Sequence, residues 1–543
     1  MMKKVIKKLL AALLAVAMVC AMAIPAFAGT EGDITKWHSF SAFQIFKGDV
    51  KGNNIKDFKI SNVTWGSNIA DNPAAFLDQL KADSTLGTQF QFIDATDANT
   101  AQKVLEVISK WDDSDAYSIA FARSVCHYLY PDANAKPKPA VEGGGGSDHI
   151  HFNEAGYYLV VDTTPFSHGD FDHAYNSFLL MVTHEDWNIP ITPKAEKPSV
   201  KKEVFDNFDN QDGTSTGDFG SSADHAINEK FQFKLTATLP ASTDHAYDYY
   251  DTYAVCFKDT LSEGITYDGP DSVVIKSNNN THDTTIDSSK YDIDTKNLEN
   301  QNYFEVNIHD VKACAKDAGF DLNDGATITF TYTAHLNEKA TVNIGSGSTE
   351  NKNSVQLKYS NNPRPGDYWG TTPKSEVYVF TYQLNNTKRA ETENGTPLPG
   401  AGFKLYSDEA YEHEVKLYKE GNFYYPIKNA LDKTPVEMKS ADDGTFNVRG
   451  LDAGTYYLKE TTTPADFTPC SVIPPVTITA NHNGNHVELD SSKLSTTIIN
   501  KKAGGITLPS TGGIGTTLFY VVGGGLMVAA IVLLVTKKRM ENK

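Results

Sequence analysis

The chain has 543 residues, with 68 Asp and Glu against 49 Lys and Arg, and a formal charge of −19. So acidic a chain repels a phosphate backbone, which excludes nucleic-acid binding from the expected functions. Its length is ample for three domains of ordinary size.

The N-terminus carries Lys3, Lys4, Lys7 and Lys8, then an apolar run from Leu9 to Val19, then Ala26-Phe27-Ala28. That order predicts a secretory signal peptide over 1–28, with Gly29 as the first mature residue. At the other end, Leu518 to Val535 is uncharged and is followed by Lys537-Lys538-Arg539. A run of this length predicts a membrane-crossing helix, with the basic cluster as its cytoplasmic stop. Both ends are processing segments and contribute nothing to the fold. Without the four leader lysines and the net three positives of the tail, 29–511 carries −26, a charge suited to solubility and low non-specific adhesion. Cys126, Cys256, Cys314 and Cys470 are far apart and form no CxxC pair, so they read as isolated small hydrophobes rather than a disulfide framework.

The first module, 29–196, opens with the alternating strand Ala42-Phe43-Gln44-Ile45-Phe46 and the turn Gly48-Asp49. Helical patches are expected over 74–86 and 100–109, and Glu142 to Ser147 reads as a flexible exposed loop. Ala155 to Pro165 then gives a strand whose core face is Tyr157, Leu159 and Val161. The same run recurs from Ala453 to Pro464, aligned from Tyr-Tyr-Leu onward, with Glu460 where the first copy has Val161. An internal repeat of this kind argues for related β-modules, one keeping an acid on its inward face and one not.

The middle module, 197–374, has no long helical pattern. Phe231–Leu239, Tyr253–Asp259, Thr327–Tyr332 and Val355–Tyr359 alternate between polar turns, which predicts an antiparallel sandwich. The last module, 375–503, has the same texture, and 504–543 holds the C-terminal signal.

Strand phase singles out a constellation. Lys202 shares a face with Val200 and Val204, Asp259 with Val255 and Phe257, and Asn361 with Leu357 and Tyr359. A buried Lys loses its proton and becomes a nucleophile, and a buried Asp keeps its proton and acts as an acid. The Asn carboxamide is then the electrophile, and the product is a Lys–Asn isopeptide bond with ammonia lost. His149 and His151 alternate on a strand but lack a third ligand at zinc spacing. Asp206 to Gly213 fails the calcium-loop pattern and reads as an acidic turn. No GxSxG, HExxH, P-loop or dinucleotide fingerprint occurs, so turnover of an external substrate is not expected, nor is a metal or cofactor.

Leu508-Pro509-Ser510-Thr511-Gly512, placed before the apolar run and basic tail, resembles the LPxTG cell-wall sorting signal, which a sortase cuts between Thr and Gly. The chain as a whole resembles the Gram-positive major pilins, the backbone subunits of sortase-assembled fimbriae. Tyr456-Tyr457-Leu458-Lys459-Glu460-Thr461 is similar to their E-box, and Ile191-Thr192-Pro193-Lys194 to their pilin motif, with Thr192 in place of an aromatic. The resemblance implies an all-β chain of tandem immunoglobulin-like, collagen-adhesin-B-type sandwiches, with some helix in the first. It implies staples from Lys202, Asp259 and Asn361 in the middle module and from Lys388, Glu460 and Asn500 in the last, and none in the first. In the last set Asn386 stands where the family has an apolar residue.

Lys194 would be the linking lysine, with Lys197 its neighbour and rival, and would join Thr511 of another subunit. The implied partners are pilin-class and housekeeping sortases, identical subunits, ancillary pilins, peptidoglycan and host surface ligands. The alternative is a monomeric wall-anchored adhesin of the same module type, which shares the sorting signal but leaves Lys194 idle.

Overall fold

The computed structural model describes residues 39–51, 59–111, 116–132, 134–142, 149–163, 178–182, 187–190, 197–209, 215–243, 245–364, 369–430, 432–470 and 472–503. The signal peptide, the 143–147 loop, Lys194, the sorting pentapeptide and the C-terminal apolar run lie outside them.

In the first module Phe40–Lys51 pairs antiparallel with Lys59–Trp65 on one side and Gly156–Asp162 on the other, and Phe178–Val182 follows. Tyr157, Leu159 and Val161 pack with Phe76, Val104 and Phe121 from three helices: Pro73–Ala82, Thr100–Ile108 and Ala116–Leu129. The opposite face is buried as well. Tyr158 and Val160 pack with Ile150, Phe152, Leu180 and Val182, because the strand His149–Phe152 covers that side. Alternation in the sequence suggested one wet face, and the structure has none. Pro73 starts the first helix, where its missing N–H costs nothing, and the Asn72 side chain accepts from the Ala75 N–H. The patch expected to reach 86 stops at Ala82 and resumes as the single turn Gly87–Phe90. Ala116–Leu129 was not foreseen. It is buried nearly all round, so it lacks the one-sided stripe that marks an amphipathic helix.

The middle module is a two-sheet sandwich. One sheet runs, in spatial order, Thr284–Thr285, Ile265–Ser277, Ala326–Leu336, Lys230–Leu239, Ser199–Asp209, Ser215–Gly220. The other runs Ser222–Asp224, Ser375–Phe380, Lys352–Ser360, Val255–Leu261, Tyr303–Ile308, Tyr291–Asp294. Phe231, Phe233, Leu235 and Ala237 from the first sheet and Val255, Phe257, Val355 and Leu357 from the second are fully or nearly fully buried, as period two requires. The boundary expected at 374/375 falls instead at 382/383, because Val355 to Lys352 pair antiparallel with Ser375 to Tyr378 and Val377 and Val379 are buried there. The same unit takes in 480–489, a hairpin far along the chain. Within that unit Arg123 donates to the Asp248 carbonyl at 3.2 Å and the Arg364 guanidinium lies over the Tyr130 ring, so the first two modules touch through polar contacts.

The last module has one sheet of Leu417–Glu420, Phe423–Pro426, Val448–Leu451, Tyr382–Ala390 and Ser495–Asn500. The other contains Glu414–Val415, Gly402–Tyr406, Gly454–Thr462 and Val476–Ile478. Its first and last strands pair in parallel, Lys388 opposite Ile498 and Ala390 opposite Asn500. The four described cysteines are free, and burial pushes the Cys256 thiol up to about 12 and Cys314 to about 11, so neither is a reactive thiolate.

Phe121 is fully buried against Phe76, Phe90 and Trp111. Phe121→Ala is expected to cost the first module about 3–5 kcal/mol. Urea unfolding followed by amide exchange would show that loss in the first module, with the other two unchanged.

Candidate functional site

Two sets of polar side chains are buried inside otherwise apolar sandwiches. In the middle module the first strand, Ser199–Asp209, turns Lys202 inward opposite Leu235, and its backbone N–H is held by the Ser375 hydroxyl at 2.9 Å. The Lys202 and Asp259 side chains have no exposed surface. The Lys202 ammonium donates to Asp259 Oδ2 and, at 3.2 Å, to the Tyr332 hydroxyl. It lies over the Phe233 and Tyr332 rings at 4.9 and 5.2 Å. Tyr332 donates to Asp259 Oδ1 at 3.2 Å and accepts from Asn353 Nδ2.

Burial dominates the charge state of this pair. Loss of water pulls the Lys202 amine down to about 8, against the attraction of Asp259. The same loss pushes the Asp259 carboxyl up, against the attraction of Lys202. Moving the proton from Lys202 to Asp259 leaves the total charge unchanged and removes two separated charges from a low-dielectric core.

The carboxamide at this site is Asn353, and this corrects the assignment of Asn361. Asp259 stands opposite Val355, and Asn353 precedes Val355 by two residues, on the same face. Asn361 lies six residues beyond Val355, which at about 3.3 Å per residue is roughly 20 Å along the strand, out of reach of a lysine side chain. Both asparagines are inward and buried, and both satisfy period two, so phase alone could not rank them. Cross-strand register does. Asn353 is fully buried and its Oδ1 accepts no hydrogen bond, which leaves the carboxamide oxygen open to a proton donor. Tyr332, the hub of the set, was also missed; the sequence showed it only as one more inward residue of its strand.

In the last module Lys388, Glu460 and Asn500 meet. Lys388 and Glu460 are buried, with Nζ 3.2 Å from Oε1. Lys388 Nζ donates to Asn500 Oδ1, and Asn500 Nδ2 donates to Glu460 Oε1 at 2.7 Å. The Cys470 N–H donates to the other oxygen of Glu460 at 2.7 Å and fixes its orientation. Lys388 lies over Phe403, which stacks on Phe446 at 4.3 Å, and burial lowers its pKa. Asn386, the departure from the apolar pattern, is buried with its Nδ2 donating to the Phe446 carbonyl at 3.1 Å and its N–H to Asn447 Oδ1 at 2.9 Å. Hydrogen bonds make a polar residue tolerable there.

Among the described residues of the first module, the place that corresponds to Glu460 is taken by Val161, which packs into the helical core. Lys197 is exposed. His151 is exposed on its strand.

Asn353→Ala should leave the mature chain heavier by one retained ammonia, beyond the substitution itself, and should lower the stability of the middle module by about 5 kcal/mol, the loop-closure value for a link spanning more than a hundred residues. Asn361→Ala should retain no ammonia. Intact-mass spectrometry of both variants checks this.

Comparison with known proteins gives two family matches: the SpaA prealbumin-like fold domain over residues 384–493, and the LPXTG cell-wall anchor motif over residues 500–542. No curated protein matches. Among solved structures, the T6 backbone pilin of Streptococcus pyogenes is 16% identical, with 87% of this chain and 97% of that one covered at a TM-score of 0.46. The major pilin SpaA of Corynebacterium diphtheriae is 14% identical, with 89% and 98% covered at 0.44. The C-terminal fragment of the major pilin GBS80 of Streptococcus agalactiae is 21% identical, with 56% and 100% covered at 0.40. This chain therefore carries a prealbumin-like domain followed directly by an LPXTG cell-wall anchor.

Proposed function

We propose that the protein is the structural subunit of a surface pilus, linked head to tail by sortase through Lys194 and Thr511, anchored to the cell wall, and stiffened by two self-formed bonds, Lys202–Asn353 and Lys388–Asn500. The observation that carries this reading is the pair of buried Lys–carboxylate–Asn sets, each reaching the first strand of its module.

The chemistry is a single-turnover amide exchange. The neutral Lys202 amine attacks Asn353 Cγ while protonated Asp259, reached through the Tyr332 hydroxyl, supplies a proton to the carboxamide. One C–N bond forms and one breaks. The amine's lost hydrogen leaves on the departing nitrogen, so the products are the isopeptide and ammonia and Asp259 recovers its proton. In the last module Glu460 touches both reacting side chains and stands where a proton can pass from the amine to the departing nitrogen.

The mechanical result suits a shaft. Lys388 and Asn500 lie on parallel first and last strands, so a pull between the module's ends would load the covalent link before the hydrogen-bond ladder. Pro190, Pro193 and Pro198 favour an extended segment around Lys194, as a sortase acceptor requires. Joining one end of a subunit to the linker of the next is a heterologous contact that does not close, hence a filament.

On a denaturing gel of cell-wall extract, the wild type should give a ladder of boil-resistant multimers and Lys194→Ala a single monomer band. A ladder surviving in the variant would move the link to another lysine, Lys197 first. Monomer alone in both would favour the wall-anchored adhesin.

A further inference from the structure

Asp206, Asp224 and His482 come from three separate segments and meet inside the middle sandwich, away from Lys202. Their side chains are about nine-tenths, nine-tenths and five-sixths covered, from exposures of 9%, 10% and 15%. His482 Nε2 stands 3.4 Å from Asp206 Oδ2 and 4.0 Å from Asp224 Oδ1.

The remaining polar side-chain atoms of the cluster each have a hydrogen-bond partner. The Ser222 hydroxyl shares a 2.9 Å hydrogen bond with His482 Nδ1. Tyr382 donates to Asp224 Oδ2 at 2.8 Å, and the Asp224 N–H donates to Asp206 Oδ1 at 3.2 Å. Phe380 stacks on the imidazole at 5.8 Å. One atom from each residue is left facing the other two, all within 4.8 Å. A tetrahedral ion with bonds of about 2.0–2.1 Å holds its ligand atoms about 3.3–3.4 Å apart, so a small closure would suffice.

The two carboxylates and the imidazole close on one space and offer a divalent ion two oxygens and a nitrogen, a set whose charge sums to zero with the ion bound. The adjacent His225 lies outside the set: it is buried against Phe231 and bonds the Phe205 carbonyl at 2.7 Å.

We infer that Asp206, Asp224 and His482 form a binding site for a divalent metal ion of the zinc class, with water as fourth ligand, that fastens the hairpin 480–489 to the middle module. One nitrogen and two oxygens in a closed setting suit zinc, while calcium and magnesium want six or more oxygens. Outer hydrogen bonds with Ser222 and from Tyr382 hold the imidazole ring and the Asp224 carboxylate in orientation, as built metal sites require.

An ion there would hold the hairpin at its first strand. Its strands Ala480–Asn483 and His486–Leu489 turn through Gly484, whose φ of +55° suits the first position of a two-residue loop. Among the described residues its second strand pairs with the short strand Gly347–Ser348, Gly347 opposite Val487, and the Leu489 N–H donates to the Ser346 hydroxyl at 2.9 Å.

The test is a Zn²⁺ titration of the metal-stripped full mature chain by calorimetry, with amide exchange read over 480–489. We expect saturable binding of one ion at this site and slowed exchange in the hairpin. His482→Ala and, as a shape-keeping variant, Asp224→Asn should each weaken binding by about tenfold or more and abolish the slowing. Zinc binding untouched by both variants, equal binding of Ca²⁺, or unchanged exchange in the hairpin would overturn the site and leave an ion pair only.

Discussion

A lysine with no water around it is the constraint on which the middle and last modules depend. Lys202 and Lys388 each sit fully covered beside a carboxylate and a carboxamide, with aromatic faces closing the remaining sides. Burying such a pair costs several kcal/mol per ion, and the attraction between partners returns only part of it. A core that merely needed stability would use apolar side chains of the same size. On the function proposed above, the arrangement gains its advantage when the amine is neutral and spends itself in a covalent bond, since the product is an uncharged amide that the same core can hold without penalty.

Each sandwich brings the three side chains together at one place. Lys202 is aimed by the first strand of one sheet, Asp259 and Asn353 by adjacent strands of the other, and Tyr332 bridges them from the lysine's own sheet. In the last module the parallel pairing of Tyr382–Ala390 with Ser495–Asn500 brings Lys388 to Asn500, and the E-box strand presents Glu460 from the facing sheet. The register of Phe403 opposite Glu460 puts the acid above the aromatic that shields the amine.

Much of this was legible in the sequence because side chains in strands alternate. Parity marked Lys202 and Asp259 as inward, the internal repeat marked Glu460, and the family resemblance supplied Lys388 and Asn500. What parity does not encode is distance along a strand, so Asn353 and Asn361 were equivalent until pairing with Val255–Leu261 set the register. Helix Ala116–Leu129 was hidden for the complementary reason: a segment buried on every side has no periodic contrast. The hairpin 480–489 and the 382/383 boundary depend on contacts between residues far apart in the chain, which local texture does not report. The Asp206, Asp224 and His482 cluster has the same origin, with one of its members more than two hundred residues from the others.

Tandem mass spectrometry of a proteolytic digest of the mature chain tests the central claim most directly. The account predicts two branched peptides, one joining Lys202 to Asn353 and the other Lys388 to Asn500, each lighter than its two parts by one ammonia beyond the usual mass sum. Linear peptides carrying unmodified Lys202 and Asn353, or Lys388 and Asn500, as the dominant species would contradict it.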